Sequence, residues 1–239
     1  MTTEIDDASD VLGDPYAAGL RLVQQHGTAA VRPEEFDLLG LRWDLLPGVF
    51  APTRTASTEL FSDWLPYPAG GRFLEIGSGT GVTAVTAALR GCARVNATDI
   101  AAAAVDNTRL NAARHQVADR VQALRSDLFD GLAPGERYDV IFWNSNVVEA
   151  PDDFEYVDDI QWAIFDRGYT LHERYLRDGM ARLTRTGRLF LGFNSLGNVP
   201  LLTGIADRLG LRIVPLARTT RRAGAFPVEF QLLELHREE

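Results

Sequence analysis

The chain has 239 residues with a formal net charge of −9, and 46% of them are hydrophobic and 24% charged; this suits one medium globular domain with a modest extension and argues against disorder. The acidic balance disfavours a dedicated grip on a nucleic-acid backbone, although it says little about a single local face. All 24 basic residues are arginine and Cys92 is the single cysteine, which excludes Schiff-base and P-loop lysines, an intrachain disulfide and a cysteine metal cluster.

The first ten residues are polar and acidic and are expected to fray. They contain no apolar stretch of the kind a signal peptide needs, and no run in the chain approaches the ~18 apolar residues of a membrane span. A cytoplasmic protein with no membrane partner is expected. Residues 14–30 carry apolar positions at weak helical spacing, ended by Gly27. Residues 36–50 predict short strands around Gly40 and a Pro47-Gly48 turn. A helix opens near Ser57-Thr58-Glu59, with Ser57 or Thr58 as N-cap. The loop 66–71 (PYPAGG) divides an N-terminal extension, residues 1–65, from a main domain, residues 66–239.

From Arg72 onward, strands alternate with helices. Strands are predicted at 72–76, 93–98, 121–125, 138–143 and 188–193, and helices at 81–90, 101–114, 167–185 and 199–209. A long loop fills 144–165, and 211–217 and 226–235 read as two strands joined without a helix. The expected fold is α/β: a Rossmann-like, mostly parallel sheet with a C-terminal antiparallel hairpin.

The segment Phe73-Leu74-Glu75-Ile76-Gly77-Ser78-Gly79-Thr80-Gly81 lies where the first strand of the main domain meets its first helix. Glycines there let the backbone approach a ligand, and the exposed N–H groups at the helix start meet its polar atoms. Dinucleotide sites use G-x-G-x-x-G, but the position that pattern requires as glycine is Val82. A carboxylate at Glu75 repels a pyrophosphate and suits the ammonium and sulfonium of S-adenosyl-L-methionine. Asp99, followed by Ile100, ends the next strand 18 residues after Gly81, where an acid can take both hydroxyls of a ribose. Asp127-Leu128 follows the third strand and offers an acceptor for an adenine amino group.

These motifs resemble those of class I S-adenosylmethionine-dependent methyltransferases. Glu75–Gly81 matches that family's E/D-x-G-x-G-x-G, Asp99 its ribose acid and Asp127-Leu128 its adenine contact, over about residues 71–239. A narrower resemblance is to the HemK-type protein-glutamine N5-methyltransferases, which carry a segment like Gly40-Leu-Arg-Trp-Asp-Leu-Leu-Pro-Gly-Val-Phe50-Ala-Pro52 ahead of the core. In that group the fourth strand ends in N-P-P-Y, and the Asn, a Pro carbonyl and the Tyr hold the acceptor amide. Here the tetrapeptide is Asn144-Ser145-Asn146-Val147, a degenerate motif that keeps only the first residue.

Loss of that clamp turns the reading toward methylation of a nitrogen or oxygen of a small molecule; glutamine methylation of a protein side chain is the alternative. Methyl transfer is an in-line displacement, so the protein mainly aligns the reactants. Asn144, past the end of a strand, is the candidate catalytic residue and also borders the cofactor. Phe50, Asn146, Tyr169, His172 and Asn194 are the further candidates for substrate contact, with His172 the histidine best placed for a base. The four histidines are scattered, and no H-E-x-x-H occurs, so no metal is expected. Six of the eleven residues 149–159 are acidic, which reads either as a solvated loop or as a lid for a cationic acceptor. Two other readings stay open: a nicotinamide oxidoreductase, which Val82 and Glu75 oppose, and a non-catalytic S-adenosylmethionine-binding module. No nucleic-acid partner is expected, and the oligomeric state is not legible.

Overall fold

The computed structural model describes residues 14–27, 34–223 and 226–238. The expectation of fraying at residues 1–10 lies outside these. The N-terminal elements are α1 (Pro15–Gly27), the antiparallel pair β1 (Glu35–Leu38) and β2 (Leu41–Asp44), a single 3-10 turn (Pro52–Arg54) and α2 (Ser57–Trp64). The repeating part is β3 (Arg72–Ile76), α3 (Val82–Leu89), β4 (Arg94–Asp99), α4 (Ala102–Arg114), β5 (Val121–Arg125) and β6 (Tyr138–Asn144). A short insertion follows: β7 (Val148–Ala150), α5 (Asp159–Trp162) and β8 (Phe165–Arg167). The chain closes with α6 (Thr170–Ala181), β9 (Leu183–Asn194), α7 (Val199–Arg208), β10 (Leu211–Ala223) and β11 (Phe226–Arg237).

Seven strands form one sheet in the order β10-β11-β9-β6-β3-β4-β5. β3, β4, β5, β6 and β9 pair in parallel, and β11 runs antiparallel to both β9 and β10. The α/β expectation and the C-terminal hairpin hold, with β11 inserted between β9 and its own hairpin partner. Alternation along the strands sends Phe73, Val140 and Phe142 to one core and Leu74, Ile76, Ile141 and Trp143 to the other. A sheet buried on both faces needs such near-continuous apolar strands.

The strand order reverses between β3 and β6. There Ile76 pairs with Trp143, so Gly77 and Asn144 leave the sheet side by side. This is the switch point at which a crevice opens beyond the carboxyl ends of parallel strands.

Residues 36–65 pack into the first core through the fully buried Trp43 and through Phe61. Asn107 and Asn111 of α4 pin the end of β2: their Oδ1 atoms accept from Leu46 N and Asp44 N at 2.8 Å, and their amides donate to Asp44 O. Arg114 adds a bidentate pair with Asp44 at 2.7 Å. These contacts deliver Gly48, Val49 and Phe50 to the crevice.

Three expectations need correction. The loop 144–165 contains β7 and α5, and it leads into β8, which pairs in parallel with β7. The helix expected over 167–185 covers only Thr170–Ala181, because Gly168 and Tyr169 both adopt positive φ and break it at its start. Neither Ser57 nor Thr58 caps α2. Ala56 occupies the N-cap without a side-chain bond, and Ser57 Oγ is engaged by Thr55 Oγ1 at 2.8 Å instead. No helix among the described residues is long and apolar enough to cross a membrane.

Candidate functional site

Gly77, Gly79 and Gly81 have φ of +64°, +53° and +79°, a left-handed backbone that L side chains adopt only with strain. Each glycine also answers to a different neighbour. A Cβ at Gly81 would lie 2.8 Å from the Thr108 backbone, and one at Gly77 would lie 3.3 Å from Trp143 Nε1. A Cβ at Gly79 would meet nothing within 4 Å. Gly81 therefore serves the packing of α3 against α4, while Gly79 faces open space.

Asp99 ties this loop to the end of β4. Its Oδ2 accepts from Gly79 N and its Oδ1 from Ala101 N, both at 2.9 Å. Burial raises its pKa, those backbone N–H groups oppose the rise, and the negative charge of Asp159 adds to it. Glu75, inside β3, is buried and accepts from Ala84 N at 2.8 Å. Burial pushes its carboxyl up to about 8, against the pull of Thr83 and Ala84 and with a further push from the charge of Asp99.

One cavity collects these groups. Its wall includes Phe50, Glu75, Gly77, Ser78, Gly79, Asp99, Ile100, Asp127, Leu128, Asn144, Asn146 and Asn194. Among the described residues, the titratable groups on that wall are Glu75, Asp99, Asp127 and Asp159, with no arginine or histidine. Such a wall offers no cationic side chain to a pyrophosphate and sets carboxylates near it. It fits a cationic, hydroxyl-rich ligand, because a positive charge relieves two buried carboxylates and hydroxyls find acceptors at Asp99.

Asp127 also accepts from Arg174 Nη1 at 2.8 Å, so its carboxylate is shared between the cavity rim and α6. Leu128 takes φ +46°. Ser126 steadies that turn, donating to Leu128 O at 3.0 Å and accepting from Gly131 N at 2.7 Å.

The end of β6 is the other half of the site. Asn144 Nδ2 donates to Ser57 Oγ at 3.3 Å. Ser145 Oγ donates to Gly192 O at 2.9 Å. Asn146 is buried, and its Nδ2 donates to Phe165 O at 2.6 Å, while its Oδ1 has no hydrogen-bond partner. A carbonyl can only accept, so Phe165 O fixes which way the Asn146 amide is turned. A buried acceptor left unmatched costs about 1–3 kcal/mol and is a place for a ligand's N–H or O–H.

Tyr169 and His172 do not reach the wall. The Tyr169 hydroxyl donates to Val147 O and accepts from Asn198 N at 2.8 Å. His172 stacks on Tyr169 with ring centroids 4.2 Å apart, and its Nδ1 lies 2.7 Å from Asp166 Oδ2. Asp166 also accepts from the backbone N–H of Leu171 and of His172, capping α6. Both rings are fully buried behind Trp143 and Val147. In this position they brace the loop after β6 and are withdrawn from direct contact with an acceptor.

The structure adds wall residues that the sequence did not single out for the site: Leu22 from α1, Thr55, Ser57 and Thr58 from the approach to α2, and Trp162 and Ile164 from the insertion, with Asp159 of the acidic stretch beside them. Trp162 stacks on Tyr156 at 3.7 Å. The acidic loop thus contributes Asp159 to the wall, while Asp152, Asp153, Glu155 and Asp158 face solvent. The signal for α2 was the Thr58-Glu59 pair; nothing in the sequence marked Leu22.

Comparison with known proteins agrees with this geometry. The family model described as "Methyltransferase small domain" matches residues 41–204. The chain is 34% identical over 167 residues to a release factor glutamine methyltransferase of Bordetella pertussis, covering 65% of this chain and 58% of that protein. It is 31% identical over 148 residues to one from Rhodopirellula baltica, covering 57% of this chain and 47% of that protein. The chain thus spans about half the length of these relatives. Among solved structures, a T. Thermophilus 16S rRNA methyltransferase in complex with AdoMet and guanosine superposes with a TM-score of 0.60 at 21% identity, over 87% of this chain and 50% of that one.

Proposed function

Because the chain belongs to the methyltransferase small domain family, we propose that it transfers a methyl group from S-adenosyl-L-methionine to the carboxamide nitrogen of a protein glutamine. The observation that carries this reading is the meeting of the Gly79–Asp99 cradle with Asn144 and Asn146 on one wall, across the β3–β6 switch point. The similarity to release factor glutamine methyltransferases supports the acceptor class and reverses the order expected from the sequence, where a small molecule came first.

S-adenosylmethionine supplies an electrophilic methyl carbon on a sulfonium leaving group. Asp99 would hold two hydroxyls while keeping Gly79 N in place. Glu75, protonated by burial in the free protein, would ionise against a bound cation and offer it a negative charge. Val82 and the absence of arginine from the wall weigh against a nicotinamide dinucleotide. An amide nitrogen is a poor nucleophile because its lone pair is delocalised, so it gains from acceptors on both N–H groups. The Asn144 and Asn146 carboxamide oxygens are the acceptors this wall provides, and Trp143, Val147 and Trp162 exclude water around them.

A second reading, methylation of a small molecule, is favoured by Ser145, Asn146 and Val147, which lack the prolines and the aromatic face of N-P-P-Y. Mass spectrometry with CD3-labelled S-adenosylmethionine separates the two. Label on the glutamine of a Gly-Gly-Gln peptide is the expected result. Label in the small-molecule fraction of a cell extract, with an unlabelled peptide, supports the second reading. Calorimetry that detects no S-adenosylmethionine binding overturns both.

A further inference from the structure

Some exposed arginines of this acidic chain pair with neighbouring acids, as in Arg42–Asp37, Arg90–Asp63, Arg109–Asp106, Arg177–Asp178 and Arg208–Glu173. The far end of β10 gathers, within five residues, three that do not. Arg218, Arg221 and Arg222 are exposed and make no ion pair among the described residues. Arg221 donates only to Thr219 Oγ1 and to Thr220 O. Glu229, opposite Thr220, is the nearest acid in register, and its carboxylate accepts from Gln231.

Register fixes where this stretch lies. β9 ends at Asn194, opposite Phe230 of β11. Arg221 and Arg222 pair with Val228 and Pro227, two and three residues past that point. At about 3.3 Å per residue, Arg222 stands roughly 10 Å beyond the last residue of β9. This is the carboxyl end of the parallel sheet, the end at which the cavity opens and whose wall includes Asn194. Ala217 packs on the α2-side core, so Thr219 and Arg221 share that face while Arg218, Thr220 and Arg222 turn to the other. Guanidinium groups therefore project on both sides of a two-stranded ribbon, interleaved with threonine hydroxyls; the ribbon is held to the segment after β9 through Glu229 and Ser195, and to the core through Val228.

We propose that this ribbon is an RNA-binding arm that holds phosphates beside the mouth of the cavity. Guanidinium forks and hydroxyls are the donors that suit phosphate oxygens. The stretch from Arg218 to Arg222 presents no aromatic or large apolar side chain of the kind that anchors protein interfaces. The cavity wall, by contrast, is acidic wherever it is charged. The chain thus separates two tasks: the wall receives a neutral or cationic group, and the arm attracts the polyanion near which that group is presented. The inference rests on charge and register alone and stands whether or not glutamine is the acceptor.

The test uses the full chain, a fluorescein-labelled RNA hairpin and fluorescence anisotropy at about 50 and about 200 mM salt. The parent should bind, and the triple variant R218T/R221T/R222T should bind at least about tenfold more weakly at the lower salt, with the log–log salt slope smaller by about 2. Calorimetric affinity for S-adenosylmethionine should be unchanged, since none of the three residues lines the cavity. If the triple variant loses that affinity, R218T and R222T singly decide the matter, each expected to reduce the slope by about 0.7–0.9. The proposal is overturned if the parent does not bind RNA, if the variants keep the parent's slope, or if a polyglutamate peptide binds the arm more tightly than RNA does.

Discussion

Replacing Glu75 with glutamine should make the protein more stable and a poorer binder. Glu75 is buried in β3, where the Thr83 hydroxyl and Ala84 N, at 2.8 Å, both favour its charged form, and a glutamine oxygen can keep the Ala84 bond. The folded protein holds this carboxyl near 8, against an ordinary value of 4.5. A raised acid pKa means that the folded state binds more protons between those two values, so stability is greatest below about 4.5 and is lost as pH rises toward 8. Each unit is worth about 1.4 kcal/mol, so from about pH 5 to about pH 7.5 the single group removes on the order of 3 kcal/mol. Glu75→Gln cannot ionise and should escape that loss. Urea unfolding of parent and variant across this range should give curves that converge at low pH and separate steadily above it, other titrations cancelling in the difference. S-adenosylmethionine affinity should fall at the same time, because the variant lacks the charge beneath the cation. Parallel stability curves, or a variant less stable than the parent near pH 7.5, would refute the view that Glu75 is held neutral by burial in the free protein.

Gly79→Val should leave a folded protein, since no protein atom lies within 4 Å of the new Cβ, at a backbone cost of about 1–2 kcal/mol for φ +53°; calorimetry should detect no cofactor binding, and unchanged affinity would move the site elsewhere. Asp99→Ala removes a charged acceptor for two hydroxyls, each bond worth about 1.5–3 kcal/mol, and a loss of affinity under about threefold would point to another partner for the ribose. Asn144→Ala should lower turnover on the order of 10²-fold through misalignment while cofactor affinity holds; parental turnover would reduce Asn144 to a loop residue. Tyr169→Phe strands Val147 O and Asn198 N, so it should cost about 1–3 kcal/mol in urea unfolding and lower turnover more than it changes cofactor affinity. An unperturbed variant would mean that this hydroxyl does not brace the loop after β6.

The core of the fold and one wall of the site were legible because local rules decide them. Apolar runs of five to seven residues alternating with helical periodicity predict the parallel sheet, and β5 appears at the residues its pattern predicts, Val121–Arg125. The glycine loop, Asp99 and Asp127 could be placed because ligands in open α/β sheets meet the ends of successive strands, which are landmarks in the sequence. His172 and Tyr169, candidates for substrate contact by residue type, lie off the cavity wall and are fully buried. The stripe His172, Tyr175, Leu176 and Gly179 is buried and carries the periodicity of a core face; it placed the histidine ring behind Trp143. Other features were set only by packing between distant segments. Leu22, Ser57 and Trp162 reach one cavity from segments 35 to 140 positions apart along the chain, with Asp159 beside Trp162. The unmatched oxygen of Asn146 exists because Phe165 O, nineteen residues on, claims the other half of its amide. The unpaired arginines of β10 overhang the cavity side because β11 inserts beside β9 and sets the register. Residue type and spacing determine which strands and helices form and where a ligand loop lies between them. Which buried atom lacks a partner depends on what each segment meets once the sheet has closed, and that is a property of the tertiary structure alone.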